Sequence, residues 1–128
     1  MPNALARLFS SLGGSLMARS GRVGILGTTG ARTGVARRAP LGFVARPDGT
    51  VLIGSGRPDN HGWVVNLKAN PSCTFAIHGT ERHYRARLLD ASEREPALAE
   101  LAARMGTIAE RTPWGDLFVL EPAAEEPA

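Results

Sequence analysis

The sequence predicts a small, mainly β domain of the α+β kind, with about six antiparallel strands in a closed or nearly closed barrel and helices at the N-terminus and periphery. Three observations carry this. Short β-favouring runs recur along the chain, separated by Gly, Pro, Asn and Asp turn signals. Only three stretches carry helical spacing or helix-boundary signals. The 128 residues, 43% hydrophobic and 21% charged, suit one core, since a second would leave both thin.

Residues 4–19 place Leu5, Leu8, Phe9, Leu12 and Leu16 at three- and four-residue steps, the spacing of one helical face. Gly13 and Gly14 weaken the middle of this helix. Its apolar face is expected to pack on the domain. Peripheral membrane contact is the alternative, for which Arg7 and Arg19 are few cations. Strands are expected at residues 22–28, 37–46, 50–55, 73–78, 82–90 and 116–121. Pro47-Asp48-Gly49 and His78-Gly79-Thr80-Glu81 are turn signals that make two antiparallel hairpins of four of them. A short helix is expected from Gly62 to Asn70, ended by Asn70 and Pro71. Ser92-Glu93-Arg94-Glu95 matches a capping box, which opens a helix to about Met105 with Pro96 in its first turn. One domain therefore spans residues 1–121, and the acidic, proline-containing tail 122–128 is expected to be disordered.

Composition narrows the function. No run approaches the roughly 20 apolar residues of a membrane span. The N-terminus lacks a signal-peptide pattern, and with one cysteine the cytoplasm is the default compartment. Cys73 reads as a small buried strand residue. Residues 1–57 carry eight Lys/Arg and one acid, and the remaining 71 carry seven and eleven, so a net +3 conceals +7 and −4. A basic front half points to an anionic partner. Nucleic acid is disfavoured, because aromatic content is 5% and no recognised nucleic-acid motif is present. A polyanionic small molecule fits better.

The stretch Thr28-Thr29-Gly30-Ala31-Arg32-Thr33-Gly34-Val35-Ala36-Arg37 lies between two β-favouring runs. Gly30 and Gly34 allow positive φ and a close backbone approach. N–H groups and the hydroxyls of Thr28, Thr29 and Thr33 can point at one anion, and Arg32 and Arg37 add bonds suited to phosphate or carboxylate. The plain alternative is a solvated loop. Other chemistries have weaker support. Gly21, Gly24, Gly27 and Gly30 do not spell a dinucleotide fingerprint, and no P-loop lysine or G-x-S-x-G elbow occurs. His61, His78 and His83 lack metal-ligand spacing, so no metal site is expected.

A second segment, Ser55-Gly56-Arg57-Pro58-Asp59-Asn60-His61-Gly62-Trp63-Val64-Val65-Asn66-Leu67-Lys68-Ala69-Asn70-Pro71, follows the first. Together they resemble the deazaflavin-dependent nitroreductase and quinone reductase family, which uses coenzyme F420, through TTG-x-[KR]-[ST]-G-x-x-R-x-x-PL and W-x-x-NL-[KR]-ANP. The resemblance runs from Val23 to Pro71 and weakly to the last strand. It implies the split β-barrel of FMN-binding-like oxidoreductases. It also implies hydride transfer from reduced F420 to a small hydrophobic, electron-poor acceptor such as a quinone or nitro compound. The coenzyme's phosphate and glutamate chain would match the basic front half. By motif position, Arg32 and Arg37 would hold the phosphate with Thr29, Gly30, Thr33 and Gly34. Ser55 and Arg57 would line the same pocket, Trp63 would lie beside the deazaflavin, and Asn66 would be its polar helix partner. Trp63 reads equally as a core anchor, and Lys68 as a solvated or tail-contacting cation. No catalytic residue is assigned, because residues 104–114 hold no tyrosine where nitroreducing relatives have several. A non-catalytic F420 binder or store, and a split barrel binding FMN or haem, remain the alternatives. The protein is expected to be a monomer or homodimer.

Overall fold

The structure, a computed structural model, describes residues 23–59 and 62–124. The helix expected at 4–19, His61 and the last four residues lie outside them.

The described chain runs β1 (Val23–Thr29), β2 (Ala36–Gly42), β3 (Val44–Ala45), β4 (Val51–Gly54), α1 (Gly62–Ala69), β5 (Ser72–Ile77), β6 (Thr80–Leu88), α2 (Ala91–Met105), α3 (Thr107–Arg111) and β7 (Leu117–Pro122). The seven strands form one antiparallel sheet in the order β2-β1-β5-β6-β7-β4-β3. Its two outermost strands, β2 and β3, are separated by a single residue, Phe43. A sheet whose two edges are joined so tightly must curl on itself.

That junction corrects the single strand expected at 37–46. Phe43 turns its ring into the interior, edge-on to Phe75 at 5.4 Å. The chain there leaves its pairing with β1 and takes up pairing with β4. Gly24 lets the Phe75 ring lie across β1, since a Cβ on Gly24 would stand 2.3 Å from it.

Alternation along the strands divides the core in two. The curled interior holds Leu26, Val51, Ile53, Phe75, Phe118 and Leu120, closed at one end by Trp63, Val64 and Leu67 of α1. The outer face of β4 and β7, with Leu52, Leu117 and Val119, is covered by Ala97 and Leu101 of α2 and Ala109 of α3. Arg46 fixes α2 to the β3 end through two bonds to Glu100, at 2.9 and 2.7 Å.

Both expected hairpins form. Asp48 closes the first by accepting from Thr50 N–H and hydroxyl. The second turns on His78 and Gly79, at φ of 52° and 81°, the left-handed pair that a two-residue hairpin needs. Two helix details differ. Asp90, not Ser92, is the N-cap of α2: it accepts from Glu93 N–H while Glu93 accepts from Asp90 N–H, and Ser92 only bonds to the cap. The helix thus starts earlier, and Pro96 lies beyond its first turn. The short α3 follows Gly106 without having been expected. β7 continues through Pro122. No helix among the described residues is long and apolar enough to cross a membrane.

Candidate functional site: a cleft between the glycine turn and α1

The inward row of β1 and β2 changes character at the rim of the barrel. Leu26 pairs with Ala39 and Thr28 with Arg37, and paired residues of an antiparallel ladder share a face. Leu26 and Ala39 belong to the interior core. One step outward, the same face presents a hydroxyl and a guanidinium.

Between these strands the chain turns tightly. Gly30 N–H donates to Val35 O at 2.8 Å, Gly34 N–H to Gly30 O at 2.9 Å, and Val35 N–H to Thr33 Oγ1 at 3.2 Å. Gly34 takes φ of 69°, a conformation glycine adopts without strain. Gly30 serves differently: its φ is not positive, but a Cβ there would stand 2.7 Å from Thr33 Oγ1.

Helix α1 holds this turn in place. Asn66 Oδ1 accepts from Ala31 N–H at 2.9 Å, and Asn66 Nδ2 donates to Thr28 Oγ1 at 3.2 Å. Four N–H groups of the turn are therefore engaged inside the protein. Those of Arg32 and Thr33 have no acceptor among the described residues.

A cleft of about 480 Å³ opens between the turn and α1. Of the residues singled out in the sequence, Gly30, Arg32, Thr33, Arg37, Trp63 and Asn66 line it, joined by Thr28, Arg38, Ala39 and Val65. Neither Arg32 nor Arg37 has a carboxylate partner among the described residues, whereas Arg46, Arg57, Lys68 and Arg87 are all paired. Trp63 is both wall and anchor. It is buried, its ring 5.8 Å from that of Phe118, and it also borders the cleft. Val65 is 57% exposed and gives the cleft an apolar rim.

The other four residues are placed differently. Gly34 shapes the turn without lining the cleft. Thr29 lies outside the cleft, in a neighbouring depression of about 320 Å³ with Thr74 and His83, which Thr28, Arg37 and Arg38 border from the cleft side. Ser55 is buried, its N–H on Asp116 O and its hydroxyl donating to Arg57 O at 3.1 Å. Arg57 makes a two-bond pair with Asp59, at 3.0 and 2.7 Å, which raises its pKa and neutralises its charge locally. Ser55 and Arg57 therefore do not line the cleft as expected. Lys68 is exposed and likewise paired, at 2.6 Å to Asp116.

Cys73 is buried in β5, with Sγ 3.7 Å from Tyr84 O, and burial pushes its thiol up to about 12. The segment 104–114 folds onto the outer face of the sheet through Ala109 and Trp114, whose Nε1 donates to Ala109 O.

The curled sheet is a split barrel of the FMN-binding-like kind. Residues 4–118 match the F420H(2)-dependent quinone reductase family, and the chain belongs to it. The protein is accordingly an enzyme, a reductase of the coenzyme F420 class.

Solved structures agree. An F420-H2 dependent reductase (FDR-A) is 25% identical with a TM-score of 0.66, over 78% of this chain and 94% of that one. A structure described as a domain-swapped dimer is also 25% identical, with a TM-score of 0.65 over 78% and 80% of the two chains. The haem storage protein HutZ from Vibrio cholerae shares the fold alone, at 16% identity and a TM-score of 0.59 over 86% and 87%. No curated protein matches the sequence.

Proposed function

We propose that the cleft between the glycine turn and α1 holds the reduced deazaflavin coenzyme, and that the enzyme reduces a small, apolar, electron-poor acceptor of the quinone class. The observation that carries this is the pair of guanidinium groups, Arg32 and Arg37, left without carboxylates at a cleft walled by Trp63.

The donor set fits the group. Two planar cations and the N–H groups of Arg32 and Thr33 suit a phosphodiester and its carboxylate chain. The indole of Trp63 and the side chains of Ala39 and Val65 suit a flat ring system on the opposite wall. When bound, the coenzyme supplies the hydride. The protein's part is to grip the anionic end, orient the ring against Trp63 and keep water from that face. Asn66 keeps the grip at a fixed distance from the wall.

Absorbance recovery of oxidised coenzyme with a small quinone tests this reading. Turnover is expected from the native chain and a large loss from the Arg32→Ala/Arg37→Ala double variant. No turnover with any small quinone would overturn the acceptor assignment.

A further inference from the structure

We propose that Asn66 and Thr28 form a directional pair, in which Asn66 makes the Thr28 hydroxyl a hydrogen-bond donor into the cleft and so makes Thr28, rather than Thr29, the strand hydroxyl that contacts an oxygen of the coenzyme. This rests on the placement of the coenzyme in that cleft.

The polarity follows from the bonding partners. Ala31 N–H can only donate, so the atom of the Asn66 amide that meets it at 2.9 Å is Oδ1. That leaves Nδ2, which can only donate, 3.2 Å from Thr28 Oγ1. The threonine oxygen therefore accepts, and its own O–H must find an acceptor elsewhere. No described residue provides one. Thr28 is 5% exposed and lies in the cleft wall, where the neighbouring depression also meets it, whereas Thr29 borders the depression only. A buried hydroxyl donor without an acceptor is costly, and an oxygen of a bound ligand removes that cost.

The neighbouring Thr29 cannot substitute. Successive strand residues point to opposite faces, and Thr29 lines the neighbouring depression instead. Asn66 is thus a positioning residue with two effects: it holds the turn through Ala31 and sets the direction of the Thr28 proton.

The test is a double-mutant cycle on coenzyme affinity, measured by fluorescence titration, with melting curves of the ligand-free proteins. Thr28→Val should raise Kd about 3- to 10-fold, the worth of one neutral hydrogen bond. Thr28→Ser should bind within about twofold of the native chain. In Asn66→Asp the new carboxylate still accepts from Ala31 N–H, which the Ala31 amide resonance should report. It also accepts from Thr28 O–H and withdraws that donor from the cleft. Adding Thr28→Val in that background should then change Kd by less than about twofold, because repulsion from the new charge is common to both proteins and cancels. Thr28→Ala makes the same deletion if the valine variant folds poorly.

Native affinity in both Thr28→Val and Thr28→Ala would overturn the proposal, as would an equal loss in both Asn66 backgrounds. Arg37→Ala separates the two layers. Weak binding there with normal binding by Thr28→Val sinks the pair alone, whereas normal binding by both removes the coenzyme from this cleft.

Discussion

The side chain of Asn66 and the backbone of Ala31 are joined at 2.9 Å across 35 residues of sequence. One lies on α1, whose buried face carries Trp63 into the core, and the other in the turn that carries Arg32. The bond fixes the cationic side of the cleft relative to its aromatic side. Small turns of this kind otherwise move independently of the elements around them.

Arg32→Ala and Arg37→Ala should each weaken coenzyme binding by about 1.5–3 kcal/mol, the worth of a hydrogen bond from a charged group. Both residues are exposed and lack carboxylate partners among the described residues, so stability should stay within about 0.5 kcal/mol. Titration and thermal melting of the same samples check this. Normal binding with early melting would assign the arginines to the fold.

The α2 cap predicts a particular acid response. Glu93 is held below the usual carboxylate range first by the Arg87 guanidinium and then by Asp90 N–H, and Asp90 is lowered first by the Ser92 hydroxyl. Carboxylates depressed in the fold stabilise it above their unfolded values, about 3.9 for Asp and 4.3 for Glu. That stabilisation is lost as pH falls through the lower folded values. The melting temperature of the native chain should therefore drop between about pH 5 and pH 3, and more gently in Glu93→Gln. Equal slopes would mean that the cap does not persist in solution.

Cys73 should be inert in the folded protein. A thiol pushed up to about 12 and buried in β5 offers almost no thiolate at pH 8. Alkylation followed by mass spectrometry should show labelling only on unfolding, and Cys73→Ala should retain quinone reduction. Rapid labelling of the native chain would contradict this.

Much of the fold is written in local patterns. Both hairpin turns, the end of α1 at Asn70 and the burial of Cys73 follow from residue types that act over a few positions. What escapes is decided at long range. Nothing near Phe43 announces that the chain changes strand partners there; the reason is Phe75, 32 positions away. The site divides in the same manner. The loop arginines stand out by sequence, but Ser55 and Arg57 were grouped with them as the end of an expected strand, although Asp59 two residues on was a visible local partner. That Thr28 and not Thr29 lines the cleft was also readable, because Leu26 facing inward carries Thr28 with it. The double use of Asn66 was not, since it needs the turn and α1 side by side.

The acceptor side predicts selectivity. Residues 104–114 hold no tyrosine, and the one tyrosine of the chain, Tyr84, is buried in the interior core. A general acid beside the acceptor is typically worth ~10²–10⁴-fold in rate. Quinones need that help least, because their charge delocalises over an aromatic diolate. Steady-state assays should show slow reduction of small quinones and little or none of bulky nitroimidazoles. Efficient nitroimidazole turnover would mean that another group reaches the acceptor.

The most direct measurement is a fluorescence titration of the native chain with coenzyme F420 against FMN, at two salt concentrations. F420 should bind the more tightly. Its affinity should fall as salt rises and as the glutamate chain is shortened, because charges more than about 8 Å apart are screened at physiological ionic strength. FMN binding as tight as that of F420, or F420 affinity indifferent to both salt and chain length, would contradict the assignment of this cleft to a polyanionic deazaflavin.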